Sequence, residues 1–159
     1  MTLYLALKYL HVIGAAVLLG TGAGIAFFML RAHLTRHPPT IAAVARMVVL
    51  ADFVFTATAV VVQPITGVLL AWEAGYSLWE GWIVLSIALY GLTGVFWIPV
   101  VFIQIGLRNF AEAAARDRRP LPEMYDIWFW TWFAFGFPAF GAVLAIYWLM
   151  IARPPIELW

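Results

Sequence analysis

The chain has no cysteine. That removes disulfides, thiolate metal sites and cysteine nucleophiles, and it fits any redox compartment. Charge is scarce as well: 11% of the 159 residues are Asp, Glu, Lys or Arg, and the net charge is +1. Such a chain has no electrostatic footprint for nucleic acid. It also lacks a glycine-rich phosphate loop, a Ser-His-Asp set at plausible spacing and a carboxylate pair within its apolar segments, so soluble catalysis is excluded. No basic n-region precedes the first apolar run, which is too long for a cleavable signal and is interrupted by His11. The whole of 1–159 is therefore read as mature protein and as a single integral membrane domain.

What the chain has is apolar surface. Hydrophobic residues make up 65% of it, with nine Trp, twelve Phe and six Tyr, outside the range of soluble domains. Four runs, at about 3–30, 47–72, 82–107 and 127–151, each exceed the length needed to cross a bilayer. In lipid the backbone must bond within its own segment, so each run is a helix. The class expected is all-α, a transmembrane four-helix bundle running up-down-up-down. Pro38-Pro39 closes any helical extension of the first loop, Arg108–Asp117 prolongs the third helix, and Arg118–Pro122 ends it.

Loop charge gives the orientation. Loop 31–46 carries Arg31, Arg36 and Arg46, and loop 108–126 carries Arg108, Arg116, Arg118 and Arg119. The other side has only Lys8 and Arg153. The positive-inside rule puts both long loops in the cytoplasm and the N and C termini outside. The expected location is the bacterial cytoplasmic (inner) membrane, multi-pass. Trp72, Tyr76, Trp79, Trp82, Tyr147 and Trp148 mark the outer interface, and Tyr125, Trp128, Trp130 and Trp132 the inner one.

Small residues and prolines shape the helices. Ala16, Gly20 and Gly24, then Gly91, Gly94, Gly136, Gly141 and Ala145, are read as flat surfaces for close helix packing, with room for a flat ligand as the alternative. Pro64, Pro99 and Pro138 each free a backbone carbonyl, near residues 60, 95 and 134.

Polar residues inside the membrane are the functional candidates. By helical rise, His11, Gln63 and Tyr90 each lie roughly 12–13 Å below the outer ends of their helices, in one layer. Ser86 and Thr93 flank Tyr90, and Lys8 sits one turn above His11. His11 has two readings: an axial ligand to haem iron, or a hydrogen-bond partner of Tyr90 or Gln63 that locks the bundle. His33 is too far from it to be a second ligand, at about 33 Å along the helix, and His33 and His37 are read as loop residues. Lys8 either snorkels to headgroups or pairs with a haem propionate. Asp52, with Thr56 one turn deeper, is expected to form a structural salt bridge with Arg46, Arg31 or Arg108, with a proton relay as the alternative and Gln104 able to join.

Four segments carry a resemblance: Lys8–Gly22 (KYLHVIGAAVLLGTG), Gln63–Gly67 (QPITG), Phe96–Gln104 (FWIPVVFIQ), and Gly136–Phe140 (GFPAF) followed by YWLMIARP. In this order they resemble the predicted integral membrane family called domain of unknown function 2269. The K-x-L-H opening is similar, more distantly, to the copper resistance protein D group and to the bacterial haem-binding protoporphyrinogen oxidase. That second resemblance implies haem b at His11. The scattered Met residues and absent Cys make poor Cu(I) sites. The expected function is a small b-type haem protein passing electrons to or from a quinone or porphyrinogen. Its cofactor site would be His11, Lys8, Gln63 and Tyr90, with His11 on the metal. The alternative is a non-enzymatic accessory subunit, or a permease for a small solute or metal, without haem. No catalytic residue is assigned. Expected partners are the lipid bilayer and a quinone or partner membrane subunit, with a homo-oligomer open.

Overall fold

A computed structural model describes residues 2–157, all helix and turn. Helix α1 spans Leu3–Leu34, α2 Pro38–Ala51, α3 Ala57–Glu73, α4 Gly81–Arg116 and α5 Glu123–Ala152. Between α2 and α3 lies a π-helical segment, Asp52–Thr56, so that Pro38–Glu73 forms one apolar rod. Four stretches are thus long and apolar enough to cross a membrane.

Local chemistry sets the helix ends. Thr2 caps α1 through its hydroxyl, which accepts from the Leu5 N–H. At the other end the Thr35 hydroxyl donates to the Ala32 carbonyl. Pro38 and Pro39 then occupy the first positions of α2. This corrects the expected 31–46 loop, which is helix apart from a turn at residues 35–37. The proline pair starts a helix as well as ending one, because the first-turn N–H groups have no intrahelical partner to lose. The extension of α4 to Arg116 and the break at 117–122 are as expected. Helix α5 starts at Glu123 rather than 127, with Glu123 and Asp126 in its first turn, where the helix dipole favours carboxylates.

Arg36, Arg118 and Arg153 have φ of 53°, 53° and 43°, just past the ends of α1, α4 and α5. Glycine is the usual residue there. A cation suits the negative end of the helix dipole, which supports arginine at the site. Two of the three also have partners. Arg36 is paired with Asp126 through both carboxylate oxygens, which holds its guanidinium still more firmly protonated. Arg153 donates to the Tyr76 hydroxyl at 2.6 Å. In the turn after α4, Arg119 and Arg116 hold the Asp117 carboxyl below the usual carboxylate range.

Cross-element contacts define two ends. Arg36–Asp126 and Arg46–Glu112 gather the end of α1, the start of α2, the end of α4 and the start of α5 at an arginine end. Arg153–Tyr76, and Gly81 against Ile156, gather the remaining ends at a tryptophan end. The main core lies toward the arginine end, around Met29, Ile41, Ala45, Leu107, Ala111, Tyr125 and Phe129. A smaller cluster of Ala71, Trp82, Ile83 and Leu149 closes the tryptophan end. Between them large apolar side chains face outward, as lipid allows.

The expected glycine surfaces are corrected. A side chain placed at Gly20, Gly24, Gly91, Gly94, Gly136 or Gly141 would meet nothing within 4 Å. Helix α1 turns the face bearing Leu7, His11, Gly14 and Ile25 inward, which carries Ala16 and Gly20 to the opposite side. The packing glycines are others: Gly14 against Gln63, Gly67 against His11, and Gly106 against the Trp128 ring. Gly106→Ala should therefore lose about 1–3 kcal/mol through overpacking. Gly20→Ala should change stability by less than about 0.5 kcal/mol. Unfolding of the two variants in mixed micelles measures the difference.

Candidate functional site

The rod α2–π–α3 presents two polar layers to its neighbours. The first lies toward the tryptophan end, between α1 and α3. The His11 ring packs against Gly67, whose missing side chain would stand 3.1 Å from Cε1. Its Nδ1 lies 2.8 Å from the Thr66 hydroxyl. That hydroxyl sends its single proton back to the Val62 carbonyl at 2.8 Å, with Gln63 O at 3.2 Å as a second acceptor. With its proton on either carbonyl, the Thr66 hydroxyl accepts from a His11 ring protonated on Nδ1, and no bond is made to Nε2 among the described residues. The Gln63 side-chain amide donates to the His11 backbone carbonyl at 3.0 Å, passing over Gly14.

Tyr90 reaches the same helix from α4. Its hydroxyl donates to the Val60 carbonyl. Val60 is the residue four before Pro64, so its carbonyl is the one the proline leaves without an intrahelical N–H. Proline and tyrosine are thus two halves of one interaction, and Tyr90 ties α4 to α3 where the chain is broken.

Residues 5–154 match the family model described as predicted integral membrane protein (DUF2269). The chain belongs to that family. No curated protein and no solved structure matches it.

Of the four residues expected to form a site in this DUF2269 protein, the structure brings His11 and Gln63 into direct contact. Tyr90 joins three residues along α3. Lys8 does not join them: it is exposed, with its ammonium 5.8 Å from the Tyr4 ring centre. Ser86 and Thr93 donate to carbonyls of their own helix, Trp82 and Leu89. Thr66 was missed in the sequence. The available signal was its place three residues after Gln63, on the same helical face.

The second layer lies toward the arginine end. Asp52 is buried at the start of the π segment. Its Oδ2 accepts from the Gln104 amide at 2.7 Å, and its Oδ1 from the Trp97 indole at 3.3 Å. The Trp132 indole donates to Gln104 Oε1 at 3.4 Å. Gln104 joins Asp52 as expected, but the expected arginine does not. Arg46 is held by Glu112 at 2.7 Å, and Arg108 donates to the neighbouring Asn109. Asp52 lies inside the bundle, where an indole and an amide reach it and the longer arginines turn outward to water. Trp82, Tyr125 and Trp132, expected at the interfaces, are buried.

His33 is also not a loop residue. It is buried in the last turns of α1, with its ring stacked on Phe129 at 3.6 Å. His37 fits its loop assignment, exposed and hydrogen-bonded to Thr40. Among the described residues no group of three or more His, Asp or Glu could hold a metal ion.

The first layer is an interhelical clasp in either functional reading. Gln63→Ala and Tyr90→Phe should each cost about 0.6–1.7 kcal/mol, the range for membrane hydrogen bonds. Pro64→Ala returns the missing N–H to Val60, so Tyr90→Phe should cost less in that background. A double-mutant cycle on unfolding free energy measures the coupling.

Proposed function

We propose that this protein binds haem b through His11 and serves in one-electron transfer with a quinone or porphyrinogen, in the bacterial inner membrane. The arginine end would face the cytoplasm. One observation carries the reading: the His11 ring is held through Nδ1 on the Thr66 hydroxyl at 2.8 Å, and Nε2 makes no bond among the described residues. A ring donating from Nδ1 would offer its Nε2 lone pair to haem iron, and the partner on Nδ1–H would raise its donor strength.

The donor set fits one axial bond. It provides no second histidine, since His33 is committed to the Phe129 stack. Haem, when bound, would supply the redox chemistry. The chain's own residues would set the donor. Thr66 fixes the ring's tautomer, Gly67 lets the ring lie close to α3, and Gln63 anchors the backbone that carries it. Lys8, one turn away and in no ion pair among the described residues, would offer a cation to a carboxylate at the membrane surface. Two cavities, of about 500 and 280 Å³, lie at the ends of the molecule, and His11 lines neither. A haem held by His11 would be covered by lipid, a partner subunit or a second copy of the chain.

A second reading has its own support. Gln63 bonds to the backbone of His11 rather than to its ring, so the clasp works without any ligand. On that reading the protein is a colourless accessory subunit, or a permease for a small solute or metal.

Visible absorption of the purified protein, from cells supplied with a haem precursor, separates the two. The haem reading expects a Soret band that His11→Ala abolishes while the protein still inserts. A colourless wild type overturns it. The clasp reading expects no band and a loss of roughly 1 kcal/mol in His11→Ala. Reporter fusions at residues 36 and 118 should read as cytoplasmic, and those at the two termini as external.

A further inference from the structure

The second polar layer has a charge imbalance that the His11 reading leaves unused. Asp52 is 5% exposed and forms no ion pair among the described residues. The charged and titratable groups on the packed elements are committed elsewhere or do not pair with it. Arg46 of α2 is held by Glu112 of α4, and Arg108 of α4 donates to Asn109. Arg31 and His33 of α1 make no bond to it, and α3 has no charged residue before Glu73. From α5 the Trp132 indole acts through Gln104. Both donors to Asp52 are neutral, so an ionised carboxylate there would have no counter-charge among the described residues.

A second observation points to a ligand. Thr56 is 7% exposed, and its hydroxyl has no partner. Thr58, Thr66, Thr93 and Thr131 each turn the hydroxyl back to the carbonyl four residues earlier. Thr56 does not. Its carbonyl at that spacing belongs to Asp52, and in the π segment that oxygen takes the Ala57 N–H instead. Thr56 stands one turn beyond Asp52 on the same face of the rod, with its hydroxyl uncommitted. Short π segments inside α-helices recur at functional sites.

We propose that Asp52, Thr56 and Gln104 form a binding site for a single monovalent cation, either a proton or a dehydrated alkali ion. One carboxylate matches one positive charge, whereas Ca²⁺ needs six to eight oxygens and usually several carboxylates. On this proposal a proton on Asp52 would turn its carboxyl O–H to Thr56 Oγ1, the free oxygen one turn along the rod. An alkali ion would take that hydroxyl oxygen and the carboxylate, while the Gln104 amide holds the carboxylate in place from its Nε2 side. The site is independent of His11 and is unaffected if that residue binds no haem.

Infrared difference spectra of the full-length protein in lipid nanodiscs, with ¹³C-aspartate to assign the bands, test this. If the ligand is a proton, lowering the pH without added salt produces an aspartic acid C=O band. If it is an alkali ion, NaCl or KCl at fixed pH shifts an aspartate carboxylate band. Asp52→Asn should remove whichever response occurs. Thr56→Val, which leaves the carboxylate in place, should weaken its apparent affinity about tenfold. Neither response between about pH 4 and 9 in the wild type, or a response that survives Asp52→Asn, overturns the proposal. Should Asp52→Asn fail to fold, an unchanged response in Thr56→Val overturns it equally.

Discussion

The Gln63 amide donates to the backbone carbonyl of His11 on another helix. In water this would be a minor contact. In lipid no solvent competes for either group, and apolar surface gives helices little reason to choose one another. The bond therefore sets which face of α1 meets α3. Once that face is chosen, Leu7, His11, Gly14 and Ile25 point inward and Ala16 and Gly20 point to lipid. Gly14 and Gly67 are the two positions where the choice demands a missing side chain.

The same rule organises the other polar contacts. Pro64 frees a carbonyl and Tyr90 answers it. Asp52 brings a carboxylate inside, and Trp97 and Gln104 answer that. Each pair bridges the long central rod to α4. The rod thus meets α1 through one polar layer and α4 through two, and those contacts rather than apolar burial specify the arrangement. Apolar burial concentrates at the arginine end, where the helices extend past any one bilayer thickness: 36 residues of α4 amount to about 54 Å.

The spans were legible because a run of apolar residues has a single solution in a bilayer. The layer of His11, Gln63 and Tyr90 was legible because helical rise converts sequence distance into depth. What depth does not convey is rotation about the helix axis. With inward and outward faces almost equally apolar, the polar His11 and Gln63 were the markers of rotation, and Gly14 and Thr66 lie three residues from them on the same faces. The glycines were grouped by their own spacing instead, so their surfaces were misassigned and Thr66 was overlooked. Asp52 was matched to arginines by charge, although its neutral partners Trp97 and Gln104 are 45 and 52 residues away in sequence. His33 was read as a loop residue because the first helix was ended with its apolar run at Leu30, whereas α1 continues to Leu34.

The π-helical stretch at Asp52–Thr56 has a geometric effect beyond its own turn. One additional residue there advances everything after it by about 100° relative to an unbroken α-helix. The half of the rod that faces Leu107 and Ala111 and the half that faces His11 are thus brought into phase by a single inserted position. Deleting any one residue of that stretch would leave two intact helices whose sticky faces no longer look at their partners.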